Sequence, residues 1–308
     1  MTAASEQSRM GTRAAKRFGL REVEDICRTP VRQPEAFDYV DGVTTPGRPA
    51  SHCIAFIDRF DERLVQTLAG AAAESLLVIA TADYQSCLRQ PHVVTPHPRL
   101  LFATLVRALF DYERAPQLEA IEKSAQIDPS ARISYGVTVG AGSEIGAGTY
   151  IYPNVTIGPR VRIGRNCVIK SGTVIGQPGF GIFRDEGGKP HPLPHVGGVV
   201  IGDNVGLGAL NTVVGGTIHP TVIEDSVKTD DHVHIAHNCH IGARTLITAC
   251  AELSGSVSIG RDCWIGPNAA IRDGLSVGDG AFIGIAANVI APVPAGATVY
   301  GNPARARD

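Results

Sequence analysis

Seven cysteines are scattered through the 308 residues with no CxxC pair, no apolar run reaches membrane length, and the net charge is only −2. The lack of CxxC spacing and the odd cysteine count argue against a zinc ribbon or a disulfide framework and predict reduced thiols in a cytoplasmic setting. A membrane span needs about 18 successive apolar residues, and glycine or polar residues interrupt every run here, so no membrane anchor is expected. The near-balanced charge gives no reason to expect nucleic acid as a partner. The first dozen residues are polar without an apolar core, so no signal peptide is expected.

What the chain does have is a period of six. Ile127, Ile133, Val139, Ile145, Ile151, Ile157, Ile163, Ile169 and Ile175 form one run. Ile235, Ile241, Ile247, Leu253, Ile259, Ile265, Ile271, Val277, Ile283 and Val289 form another. Six is neither the helical 3.6 nor the strand period of 2. It marks a hexapeptide-repeat solenoid, a left-handed parallel β-helix in which three hexads close one triangular coil. Residues eighteen apart then stack. The aliphatic residue points inward, and the frequent glycine after it, as in Ile157-Gly158, is expected to serve a left-handed corner. Cys167, Cys239 and Cys263 sit among the hexads as small apolar fillers.

The period breaks twice. Ile175 to Ile201 spans 26 residues, four hexads plus two, with the excess in Gln177 to Pro192. Val213 to Ile223 spans ten, four too many, around Gly215-Gly216-Thr217-Ile218-His219-Pro220. Loops leaving a rigid solenoid are expected to shape a binding face.

The first third reads as an α/β domain. An amphipathic helix is expected over 19–27, buried strands at 53–57 and 75–80, a helix over 64–73 between them, and a helix from Pro98 to Phe110. The expected organisation is a disordered terminus (1–17), an α/β nucleotide- or acceptor-binding domain (18–115), a linker (116–126), the β-helix (127–298) with loops 176–198 and 214–220, and a tail (299–308).

The densest chemistry is Asp230-Asp231-His232-Val233-His234-Ile235-Ala236-His237-Asn238-Cys239-His240. With Ile235 inward, His237 falls at a corner, where a neutral imidazole can take a proton from an amine or hydroxyl attacking a thioester. Asp230 or Asp231 could orient that ring. Eighteen residues on is Gly255, whose N–H can face a developing oxyanion without steric block.

At these residues the chain resembles the UDP-3-O-acylglucosamine N-acyltransferases. The resemblance rests on Gly176-Gln177-Pro178-Gly179-Phe180-Gly181 with Gly197-Gly198-Val199-Val200-Ile201-Gly202, on Ile235-Ala236-His237-Asn238, and on Ser254-Gly255-Ser256. It also takes in Val93 to Ala103 with Phe110, and spans roughly residues 18 to 290. It implies a homotrimer with sites in grooves between subunits, His237 as general base, Gly255 as oxyanion donor and Asn238 in support. It further implies an acceptor bound by Phe56, Arg59, Phe60, Gln177 and Phe180. Four departures stand out. The family's uracil-holding Asn and Tyr fall on Arg59 and Glu62, and its Asp-Arg-Gly run is replaced by Val213-Val214-Gly215-Gly216. Its second active-site His falls on Gly274. Its long C-terminal helix is replaced by Val299-Tyr300-Gly301-Asn302-Pro303-Ala304-Arg305, which resembles the tail of coenzyme A-dependent hexapeptide acetyltransferases and suggests Asn302 and Arg305, with Arg307, as donor contacts.

The leading expectation is direct acyl transfer to the amino group of a nucleotide-activated amino sugar or related metabolite. The donor would be a thioester, a short-chain acyl-CoA rather than an acyl carrier protein, with no tightly bound cofactor. An O-acetyltransferase would use the same machinery. A γ-type carbonic anhydrase-like zinc enzyme is the alternative from another class, because His232 and His237 have its five-residue spacing. A catalytically inactive scaffold is the third.

Overall fold

The structure, a computed structural model, describes residues 12–71, 73–112, 119–185 and 187–303, with the backbone alone of 305–306. Two compact units emerge, one of Met1–Pro116 with Phe180–Val196, the other of Gln117–Gly179 with Gly197–Asp308. The expected linker lies partly outside the described residues.

The first unit contains a five-stranded sheet in the order β1 (Thr12–Gly19), β2 (Tyr39–Val43), β3 (Cys53–Ile57), β4 (Leu77–Ala80), β5 (His92–Val94). β1 runs antiparallel to β2 and the other pairs are parallel. Residues 12–17 therefore belong to a paired strand, which corrects the expectation of disorder through residue 17: alternate residues along β1 are half-buried. Three helices join the strands, α1 (Leu20–Cys27), α2 (Glu62–Ala69) and α3 (Pro98–Phe110). α2 starts where the Asp61 carboxylate accepts the Arg63 N–H at 2.8 Å, an N-cap that satisfies an orphan donor. Pro98 opens α3, where its missing N–H costs nothing. The apolar face of α3, Phe102, Leu105 and Leu109, is buried along with Ile54, Leu77 and Ile79 of the sheet. The segment 180–196 is grouped here and not with the β-helix, contrary to the domain expectation. It forms a hairpin pairing Ile182–Arg184 with Pro190–Pro192, and the Arg107 guanidinium of α3 donates to the Pro192 carbonyl at 2.7 Å.

The second unit is a parallel β-helix with three sheets of ten, eight and eight strands, called a, b and c. Inward residues stack as the repeat demands. Ile133, Ile151 and Ile169 follow one another in sheet a, Val139, Ile157 and Ile175 in b, and Ile127, Ile145 and Ile163 in c. These side chains form a continuous apolar core, the main stabilising term for strands only two or three residues long. Buried Cys239 belongs to it. Burial, reinforced by the nearby Glu252 charge, pushes its thiol up to about 12, which leaves a filler and not a nucleophile.

Two sequence readings need correction. Ile163 pairs with Ile201, thirty-eight residues on instead of eighteen, so the first break is one hexad plus twenty inserted residues and contributes no further coils. Ile201 pairs with Ile223, twenty-two on, so the second break does insert four. The glycines that follow the aliphatic residues also have another cause. A Cβ on Gly158 would lie 2.7 Å from the Gly176 carbonyl oxygen, so the glycine permits close approach of the next coil. The left-handed residue comes three places after the aliphatic one, as at Asn154, Asn166, Asn238 and Ser256, and asparagine tolerates it.

Candidate active site

Both insertions leave the β-helix at the same corner. The chain departs after the sheet b strand Val174–Ile175 and re-enters sheet c at Val199–Ile201. It departs again after Thr212–Val213 and returns at Thr221–Ile223. His237 lies between His234–Ile235 of sheet b and His240–Ile241 of sheet c, hence on that corner too. Sequence periodicity located the breaks, but only the sheet assignment aligns them with the histidine.

The His237 ring is half-buried and packs against Gly255 one coil above. A Cβ on Gly255 would meet its Cε1 at 2.6 Å, Nε2 at 2.8 Å and Nδ1 at 3.3 Å. Any larger residue at 255 would displace the imidazole. The coil is tied in place by the Ser256 N–H donating to the His237 carbonyl at 2.8 Å. Among the described residues, no group accepts from the Gly255 N–H. Burial first, and the neighbouring His234 second, hold the His237 pKa below the ordinary 6.5, so the ring is neutral at pH 7.

Asn238 orients this ring. Its Oδ1 accepts the Thr217 N–H at 2.8 Å, which settles which end of the amide is which. Its Nδ2 therefore faces the Thr217 hydroxyl at 3.2 Å and His237 Nδ1 at 3.0 Å. An amide nitrogen only donates, so Nδ1 accepts, and the neutral ring carries its proton on Nε2. Thr217 belongs to the four-residue insertion, which thereby holds the Asn238 amide. The path of that insertion depends on glycine, since a Cβ on Gly216 would lie 1.8 Å from the His219 carbonyl oxygen.

The aspartates play a different part from the one expected. Asp231 Oδ1 accepts the Ala209 N–H at 2.7 Å, and Asp230 Oδ1 accepts the Asp231 N–H at 2.8 Å. Both belong to the corner between sheets a and b, one hexad before His237, so they cap backbone and do not orient the ring. The other histidines disperse as well. His240 Nε2 sits 3.0 Å from Glu224 Oε1, and His232 shares the corner of Asp231. His232 and His237 lie on different corners, so within one chain their spacing of five does not bring them together. Among the described residues, no group of three His, Cys, Asp or Glu is placed to hold an ion.

Sequence reasoning missed a polar group on the outer face of sheet b, next to His234. His234 pairs in register with Glu252 on the outer face of sheet b. The Ser254 hydroxyl lies 3.1 Å from both Glu252 carboxylate oxygens. The stacking rule would have found Glu252 from His234, had it been applied to outward positions.

Of the acceptor residues expected from the resemblance, Arg59 lines a cavity. This cavity, of about 730 Å3 within the first unit, is bounded by Asp58, Arg59, the start of α3 and the hairpin from Ile182 to Gly187. Arg99 bridges Asp58 across it at 2.5 Å. Phe56 instead packs on Phe102 of α3, with ring centroids 4.8 Å apart. Phe60 is half-exposed against Tyr84, and Glu62 starts α2. Phe180 is 90% exposed, whereas the Gln177 carbonyl accepts the Gly215 N–H at 2.9 Å within the β-helix. Asn302 Oδ1 accepts from Asn288 at 3.2 Å. The Arg305 side chain and Arg307 lie outside the described residues.

Residues 143–177, 220–255 and 256–284 match the bacterial transferase hexapeptide family (six repeats), and 130–153 match the hexapeptide repeat of succinyl-transferase. The chain is 44% identical over 112 residues to a UDP-3-O-acylglucosamine N-acyltransferase of Janthinobacterium sp. (strain Marseille), covering 36% of this chain and 32% of that one. It is 41% identical over 137 residues to the enzyme of the same name from Caulobacter sp. (strain K31), covering 44% and 40%. The matched stretch thus spans about a third of the length of the first of these relatives. Among solved structures, the UDP-N-acetylglucosamine acyltransferase of Francisella novicida superposes with a TM-score of 0.56 at 29% identity, over 62% of this chain and 69% of that one.

Proposed function

We propose that the chain transfers an acyl group from a thioester to the amino group of a nucleotide-activated amino sugar, with His237 as the base. The observation that carries the reading is the neutral imidazole seated on Gly255 at the corner where both insertions emerge. The partial relatives supply the reaction class: acylation of UDP-linked glucosamine derivatives is what their names state.

The steps balance without a covalent enzyme intermediate. The amine nitrogen attacks the thioester carbonyl carbon, and the carbonyl π electrons move to oxygen. The Gly255 N–H, which has no acceptor among the described residues, donates to that oxyanion. His237 takes the proton the nitrogen sheds, the C–S bond breaks, and the imidazolium returns the proton to the thiolate. Because Asn238 holds Nδ1 as an acceptor, base action at Nε2 requires the other tautomer. Rotation of the Asn238 amide provides it: Oδ1 would then accept from Nδ1–H in place of the Thr217 N–H.

The proposed donor is a short acyl-CoA and the proposed assembly a homotrimer, in which a neighbouring copy closes the corner against water. Arg59 is proposed to contact the acceptor from the cavity it lines. An O-acyltransferase shares every step above except the identity of the attacking atom. The zinc reading would need histidines of neighbouring copies to converge, and metal analysis of the purified protein separates it from acyl transfer. The test is thiol release from acetyl-CoA and longer thioesters against nucleotide amino sugars, wild type beside His237→Ala. A loss of about 100-fold or more in turnover is expected, and a near-wild-type rate in the variant would remove His237 from the mechanism.

A further inference from the structure

The face of sheet b beside His237 carries more polar chemistry than proton transfer requires. Its outward ladder runs Thr212, His234, Glu252, Ala270. Outward positions on a half-covered sheet are free to hold apolar or small residues, and Thr212 and Ala270 do so. Glu252 is a half-buried carboxylate with room for about four hydrogen bonds. Among the described residues its one donor is the Ser254 hydroxyl, 3.1 Å from each oxygen. The rung above holds only Ala270, which offers no donor and covers little. Glu252 lies three residues before Gly255, the residue on which the imidazole rests. The rung below holds His234, close enough for its charge to be felt by His237.

A carboxylate in this position discriminates by charge. It repels phosphate, so the diphosphate ends of a coenzyme or of a nucleotide sugar cannot lie here. It resists a long alkyl chain, which would strip its remaining water without replacing it. It favours a compact group with several N–H donors and a positive charge.

We propose that Glu252, held by Ser254 and flanked by His234, is an ammonium-binding subsite that selects an amine over a hydroxyl at the reacting position of the acceptor. This rests on reading His237 as the centre of acyl transfer, and it sharpens that reading by separating N- from O-acylation. The protonated amine docks on the carboxylate next to the imidazole, and a hydroxyl gains no charge-assisted contact there.

The experiment is equilibrium binding, which needs no turnover. UDP-glucosamine and UDP-glucose, alike except for the group on the second sugar carbon, are titrated by calorimetry into wild type, Glu252→Gln and Ser254→Ala. Wild type is expected to bind the amino sugar about 10-fold more tightly, the worth of one hydrogen bond to a charged group. Glu252→Gln should erase that preference, because the amide keeps the shape and loses the charge. Ser254→Ala, which frees the carboxylate without discharging it, should fall between the two. A wild-type preference that is absent, failure of both sugars to bind, or a preference that survives in Glu252→Gln would overturn the proposal. An intact amine preference in a protein whose His237→Ala variant turns over normally would instead remove His237 as the base and leave the subsite standing.

Discussion

The corner holding Asp231 and the corner holding His237 stand one hexad apart and share a backbone plan. Each has a non-glycine residue in the left-handed region, His232 at φ 60° and Asn238 at φ 61°. Each places its functional residue just before that position. At the first corner the residue is a carboxylate that accepts the N–H of the coil below, which closes the backbone upon itself. At the second it is an imidazole that packs on the glycine of the coil above, and the N–H of that glycine has no acceptor among the described residues. The same turn is therefore a structural cap or a candidate reaction centre according to one side chain. The difference is whether backbone donors are consumed internally or left for a ligand.

The sharpest way to break this contrast is to fill the space under the imidazole. Gly255→Ala would place a methyl group where the ring now lies, with contacts below 3 Å to Cε1 and Nε2 and 3.3 Å to Nδ1. The backbone there is not left-handed, so the fold should tolerate alanine while the imidazole moves by an ångström or so. A displacement of that size typically costs about 100-fold in rate. Steady-state turnover alongside a melting curve checks this, and unchanged turnover would mean that the ring position does not matter.

A smaller effect should follow from converting the second corner toward the first. In wild type, burial and His234 hold the His237 pKa below 6.5, so kcat/KM should rise with pH along a limb lying below 6.5 and then level off. The unfolded chain binds this proton more readily than the folded one. The contribution of the group to stability is thus fully present above 6.5 and declines as the pH falls toward the folded pKa. Asn238→Asp puts a carboxylate beside Nδ1, where it accepts both the Thr217 N–H and Nδ1–H. The imidazolium is then favoured, and the acid limb should move to higher pH, with a several-fold loss at pH 6. A pH–rate profile shifted the other way would mean that residue 238 does not face the ring.

The smallest effect belongs to the capping corner. Asp231→Ala removes the acceptor of the Ala209 N–H and should cost about 1 kcal/mol, seen as a drop of a few degrees in Tm with no change in rate. A loss of turnover without a loss of stability would restore Asp231 to the mechanism.

Much of the site could be read in advance because a solenoid converts sequence separation into distance. Ile235 inward fixes His237 at a corner, and an offset of eighteen brings Gly255 over it. The rule fails wherever chain is inserted. The twenty residues before Val199 hide the true pairing of Ile163 with Ile201, and the four before Ile223 hide Thr217, the partner that aligns Asn238. The aspartates next to the histidine in sequence were misread for a related reason, since neighbours one hexad apart sit on different corners of the prism.

The amino-acid sequence by itself determined the period of six, the inward aliphatic column and the α/β character of the first third, because each follows from local spacing and burial of apolar side chains. Tertiary structure alone decided that both insertions and His237 share one corner. It decided that Asn238 donates to Nδ1, and that Gly158 is glycine for close approach and not for its torsion angle. It also gathered Glu252, Ser254 and His234 on the outer face of sheet b. Those outcomes depend on contacts between coils whose offset changes from eighteen to thirty-eight and twenty-two at the insertions, and no local pattern encodes which backbone atoms then come into contact.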